Sequence, residues 1–276
     1  MSVFILGSDQ EFNNMRYKLA EDVKPQALLL LIATVITIAL WFIPFAGILV
    51  YPIRLFVTFI HEGGHALMTL LTGGAVQSLT IASDGSGLTY SASSSWLGSL
   101  LVSSAGYLGT TFFGVLMLAL VRFNVSAKKI LLGCGILIGV LTLVFGFISP
   151  VFNFLSLQVA YSSVLFTIIT GALLTVALVA LAKYSSLKTA NFAVAFLAIQ
   201  CLLNALSDLK TLLFINSPFS GSDIMNDAGN MAAATGLPGI VWVFIWIGIS
   251  IVMISVGLRL YAVNKARAAG ESLFED

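Results

Sequence analysis

The sequence predicts an all-α polytopic membrane protein, a bundle of six or seven transmembrane helices with a small β-hairpin after the second apolar segment. Three observations carry that expectation. The 276-residue chain is 59% apolar and only 9% charged, whereas soluble domains carry about 25% charged residues. A water-facing surface cannot be built from that inventory. Seven apolar segments recur along the chain, most approaching or exceeding the roughly 20 residues a spanning helix needs. One stretch between the second and third segments changes to apolar residues spaced by small polar ones, the pattern of a strand pair.

Taken in order, the first 25 residues form a polar N-terminal tail of mixed charge (Asp9, Glu11, Arg16, Lys18, Glu21, Asp22, Lys24). It is too long and too acidic for the basic start of a cleavable signal. Residues 26–262 read as one membrane-embedded domain and 263–276 as a polar C-terminal tail. The apolar segments fall at 26–50, 52–71, 97–121, 130–148, 159–182, 190–215 and 239–261. Pro44 is expected to kink the first, and Pro52 to sit in the first turn of the second. Gly73 and Gly74 close the second in the manner of a C-cap. From 75 to 95, Val76, Leu79, Ile81, Leu88 and Tyr90 alternate with small polar residues about an Asp84-Gly85-Ser86-Gly87 turn, which reads as a β-hairpin. Open strand edges do not survive in lipid, so the hairpin belongs at the interface or against protein. There an edge can accept an extended peptide by β-augmentation. In the third segment Gly98, Gly106, Gly109 and Gly114 let helix backbones approach closely. The connector at 216–238 reads as a loop with a short helix, started by Ser222 or Asp223 and stopped by Thr235-Gly236-Leu237-Pro238. Its apolar stripe (Ile224, Ala228, Met231, Ala232) suits either a cover over a site or a surface connector.

Charge placement bears on topology. Basic residues collect at Arg16/Lys18/Lys24, Arg122/Lys128/Lys129, Lys183/Lys188 and Arg259/Lys265/Arg267. Seven spans would put the first cluster opposite the other three. Six spans, with segment 52–71 inserted but not fully crossing, put all four on one side. A net charge of +1 leaves no basic patch for nucleic acid. Cys134 and Cys201 lie in apolar runs without metal-ligand spacing and read as small buried hydrophobes.

The chain owns two histidines, and both fall in His61-Glu62-Gly63-Gly64-His65. Residues four apart share a helix face, so the two imidazoles can aim at one point. Two such imidazoles hold Zn²⁺, and the intervening glutamate serves as general base to an attacking water. Catalytic zinc takes a third protein ligand. The remaining glutamates (Glu11, Glu21, Glu271, Glu275) all lie in the tails. Among the aspartates, Asp208 stands inside the sixth apolar segment, where an unpaired carboxylate costs about 2.5–3.5 kcal/mol on a translocon scale. Coordination would offset that cost, which makes Asp208 the expected third ligand, with Asp223 and Asp227 as alternatives. Asn204, one turn before Asp208, can orient the carboxylate or bind a substrate strand.

Together, Phe59-Ile60-His61-Glu62-Gly63-Gly64-His65-Ala66, the hairpin, Ala105-Gly106-Tyr107-Leu108-Gly109 and Asn204-x-x-x-Asp208 resemble an M50-type membrane metallopeptidase. More narrowly, they resemble the M50B-like branch of the site-2 protease group. The likeness runs from about Phe56 to Trp246, through Ser222-Asp223 and Thr235-Gly236-Leu237-Pro238-x-x-x-Trp242. It implies intramembrane hydrolysis of membrane-anchored protein substrates by a zinc-activated water. His61, His65 and Asp208 would hold the metal and Glu62 would act as base. Site-2 proteases commonly carry Asp-Gly after an Asn-Pro element at the third ligand, whereas Asp208 is followed by Leu209 with no proline before it. Two other functions fit the same residues: an inactive relative that binds membrane proteins, and a zinc transporter or sensor. The first needs no turnover. The second leaves Glu62 without a role and finds few polar residues along an ion path.

Overall fold

The computed structural model describes residues 24–262 apart from 41, 44–46, 94, 124, 154–158 and 217–225. Its helices are α1 (Lys24–Leu40), α2 (Gly47–Leu71), α3 (Trp96–Arg122), α4 (Ala127–Phe152), α5 (Tyr161–Tyr184), α6 (Leu187–Ile215), α7 (Asp227–Thr235) and α8 (Gly239–Ala262). A hairpin of β1 (Ala75–Ile81) and β2 (Gly87–Ala92) stands between α2 and α3. Five helices, α3, α4, α5, α6 and α8, are long and apolar enough to cross a bilayer. Helix α1 contributes a shorter apolar stretch, Leu31–Leu40.

The first expected segment is divided. Helix α1 ends at Leu40, and residues 47–50 already belong to α2. Pro44 lies outside the described residues. Pro52 is therefore inside α2 rather than in its first turn, at the expense of one intrahelical bond.

Helix α2 is the hub. Its Phe56, Phe59 and Ala66 are wholly buried, in one core with Leu79 and Ile81 of β1, Met117 and Leu118 of α3, Leu131 and Ile138 of α4, and Val194 and Ala198 of α6. The glycines of α2 and α3 are spent on contact between backbones. A Cβ at Gly64 would strike the carbonyl of Ala105, and one at Gly114 would strike that of Ala198. Gly63 faces the side chain of Leu141, where α4 loosens into π-helical geometry over Leu141–Ile148. The glycine pair in the histidine motif thus admits α3 and α4 on two sides of α2. The compensation for two helix-weakening residues, roughly 1 kcal/mol each against alanine, is helix packing.

The hairpin packs against protein. Its turn is closed by Ala82 N–H donating to Ser86 O at 2.8 Å, with Gly85 at φ +83°. Asp84 accepts from the Ser86 N–H and hydroxyl, and these bonds hold its carboxyl below the usual range. The tip is tied to α2 by Tyr51 Oη–H to Ser83 O (2.6 Å) and Thr58 Oγ1 to Gly85 O (3.0 Å). Beyond β1, the Ile81 N–H donates to Thr167 Oγ1 of α5 at 2.6 Å, which engages that side of the sheet. Along β2 the apolar residues Leu88 and Tyr90 are exposed, while Gly87, Thr89 and Ser91 turn inward. The small polar face of β2 therefore meets α2: Thr69 Oγ1 donates to Ser91 Oγ at 3.1 Å.

Candidate metal centre

Helical spacing brings both histidines of α2 to one point. Their Nε2 atoms lie 3.1 Å apart. His65 is oriented from behind, with Nδ1 2.7 Å from the carbonyl of Val102 on α3. A proton on Nδ1 leaves the Nε2 lone pair facing inward, the arrangement seen in metal-ligating imidazoles. The ring of His61 is held edge-on by Tyr107, with centroids 4.7 Å apart, and Tyr107 stacks on Trp246 at 5.4 Å. Trp246 Nε1–H donates to Ser104 Oγ, tying α8 to α3 behind this stack.

A third potential ligand atom comes from α7. Asp227 Oδ2 lies 3.4 Å from His65 Nε2 and 3.8 Å from His61 Nε2. Among the described residues, His61, His65 and Asp227 form the one group of three potential ligand atoms mutually within 4.8 Å. Burial opposes the charge on Asp227, but the two imidazoles outweigh it and hold the carboxyl below the usual carboxylate range.

The expected set is brought together only in part. Asp208 lies on α6, outside that group, within electrostatic reach of His61 and Arg54. Asp208 is an exposed residue of α6 by surface area, and its carboxyl is not one of the three grouped donors. Asn204 donates to Gln200 O of its own helix and is not among the residues lining the cavity described below. Ser222 and Asp223 lie outside the described residues. The cap of α7 is Asn226, whose side chain accepts from Gly229 N–H at 3.0 Å. The expected stop holds, with Gly236 at φ +75°.

Helix α7 has nine residues, too few to persist alone in water, and its seat holds it. Ala228 and Met231 are buried against Tyr107, Leu209, Leu212, Val243 and Trp246. Trp96 Nε1–H donates to Ala234 O at 2.7 Å, and Trp242 Nε1–H to Thr235 Oγ1 at 3.1 Å.

The donor set fits zinc. Tetrahedral bonds of about 2.0–2.1 Å put ligand atoms roughly 3.3 Å apart, against 3.1, 3.4 and 3.8 Å here. Gly106 of α3 lies beside the two rings, where a Cβ would collide with both Nε2 atoms. A cradle that a methyl group would fill is kept open.

These groups open onto a cavity of about 1070 Å³ lined by His61, Glu62, His65 and Asp227, with hydroxyls from α3 and β2. That is above the usual range of small-molecule pockets, roughly 300–1,000 Å³. Five consecutive residues of β2, Gly87 to Ser91, line it. A strand offers alternate residues from a face and consecutive ones from an edge, so β2 presents its edge. Glu62 is 5% exposed, and its Oε2 accepts from Thr89 Oγ1 at 2.8 Å. Asp227 stood in the sequence only as an alternative. Its signal was an Asn-Asp pair before the Ala228/Met231 stripe, which presses that end of the helix onto the bundle. Thr89 and Tyr107 carried no signal as site residues.

Compared with known proteins, residues 30–257 match the family model described as Peptidase M50B-like. Neither the curated proteins nor the solved structures contain a match. The five apolar helices and the family match together make the chain an integral, multi-pass membrane protein. Peptidases of the M50 group are membrane metallopeptidases and are generally zinc-dependent.

Proposed function

This chain belongs to the Peptidase M50B-like family, and from that membership and its donor geometry we propose that it is an intramembrane zinc metallopeptidase. The observation that carries the reading is the convergence of His61 Nε2, His65 Nε2 and Asp227 Oδ2 beside a buried Glu62. These three would hold the metal. When bound, zinc supplies Lewis acidity that polarises a carbonyl and acidifies water. Glu62 takes a proton from the attacking water and delivers it to the leaving amine. The free edge of β2 accepts the substrate as an added strand, since the β1 side is engaged by α5. A substrate helix must therefore unwind locally, which also frees its peptide carbonyls from intrahelical bonds.

The test uses the full chain purified in detergent. Wild type is expected to hold about one zinc per chain and to cleave a membrane-anchored peptide in a chelator-sensitive way. Glu62→Gln keeps the zinc and loses about 10²–10⁴ in rate. Cleavage by Glu62→Gln at the wild-type rate would remove the base assignment. Wild-type protein without bound zinc would remove the whole reading.

A further inference from the structure

Two residues of β2 meet the Glu62 carboxylate, and they meet different oxygens. Thr89 Oγ1 lies 2.8 Å from Oε2 and 3.0 Å from the backbone carbonyl of the same glutamate. Gly87, two residues earlier and on the same strand face, lies against Oε1. A Cβ there would collide with Oε1, with Cγ and with the methyl of Thr58. Among the described residues, Thr89 makes the one side-chain hydrogen bond to this carboxylate.

We infer that β2 fixes the working orientation of Glu62, with Thr89 anchoring Oε2 and the bare backbone of Gly87 keeping Oε1 clear for the proton. Thr89 is thus a positioning residue acting through Glu62. The inference rests on the reading of Glu62 as the general base. A carboxylate with one oxygen engaged presents the other, and a rotatable side chain becomes a directed one. A hydroxyl suits a group that changes protonation state. While Glu62 is a carboxylate, the Thr89 hydrogen points to Oε2. When Glu62 becomes the acid through a new Oε1–H bond, Oε2 is its carbonyl oxygen and still accepts. The backbone carbonyl 3.0 Å away offers the same hydrogen a second acceptor, so neither state leaves it unpaired. Because β2 also bears the edge offered to substrate, a single strand sets both the register of the bound peptide and the direction of the base.

The test compares wild type, Glu62→Gln, Thr89→Val and Thr89→Ser as full-length chains in detergent micelles. The probe is a quenched-fluorescent peptide carrying an extended uncharged stretch beside an apolar span. Zinc per chain and melting temperature are measured alongside. Thr89→Val is isosteric without the hydroxyl, and its kcat is expected to fall about ten- to hundredfold. Its KM should stay within about twofold and its zinc content unchanged; Thr89→Ser recovers most of kcat. Four outcomes overturn the inference: Thr89→Val with wild-type kcat; a loss confined to KM; lost zinc; or a serine variant as slow as the valine one. A wild type no faster than Glu62→Gln marks a different failure, that of the peptidase reading itself, and takes the inference with it.

Discussion

The two histidines and Asp227 reach the same point by different physics. His61 and His65 sit one turn apart on α2, the most enclosed helix of the bundle, and their convergence is a property of the helix itself. Close backbone approach at Gly64 brings α3 against this face of α2, and Gly106 lies beside both rings. Asp227 stands on a nine-residue helix at the far end of the chain, set in place by a handful of contacts. One half of the site is preformed. The other half is conditional, since Asp227 faces the two rings only while α7 is docked.

The largest effect that divides the two halves comes from the acids. Asp227→Asn removes the anionic donor with little change of shape, and zinc content is expected to fall steeply. Asp208→Asn removes a charge outside the donor group and is expected to retain zinc near the wild-type level. Metal analysis of the two purified variants decides between them. Zinc lost from the Asp208 variant and kept by the Asp227 variant would break the comparison and return the third ligand to α6.

A smaller effect follows from the seat of α7. Met231 is 2% exposed among Tyr107, Leu209, Leu212 and Trp246, and Met→Ala in such a site costs about 2–5 kcal/mol. Met231 donates nothing to a metal. If α7 is conditional, Met231→Ala weakens zinc binding by undocking Asp227, because apparent affinity is scaled by the competent fraction. Competition with a zinc-binding dye reads this directly. Wild-type affinity in Met231→Ala would show that α7 needs no seat.

The contrast also explains what could be read beforehand. The histidine motif was legible because helical spacing is local, and the hairpin because Asp84-Gly85 marks a turn between alternating residues. The spans at α3, α4, α5, α6 and α8 followed from apolar length alone. Asp227 was less legible. Its position depends on side chains of α3, α6 and α8 meeting in one apolar patch, which no single window of sequence contains. Asp208 stands out in the sequence through the cost of placing a charge in an apolar segment, a signal that does not say which donors share one point in space. The glycine spacing of α3 predicts close helix packing at Gly106; the residue also keeps the space at the two rings open. On β2 Leu88 and Tyr90 face outward and Thr89 inward. The strand answers to the carboxylate beneath it rather than to an apolar core.

The smallest effect sharpens the comparison most. Trp96 is exposed, and its Nε1–H donates to Ala234 O near the end of α7. Trp96→Phe keeps an aromatic ring and removes one hydrogen bond of about 0.5–1.5 kcal/mol net. While α7 is docked by several kcal/mol, losing that much leaves the competent fraction near one, so zinc affinity should change less than about twofold. In the Met231→Ala background the docking equilibrium is already near balance. There most of the bond's value appears, up to about sixfold in apparent affinity. The two substitutions should therefore be non-additive in zinc binding although both act on one docking free energy. If Trp96→Phe alone weakens zinc as much as Met231→Ala does, α7 is marginally docked in the unaltered chain. The conditional half of the site would then be open for an appreciable fraction of the time.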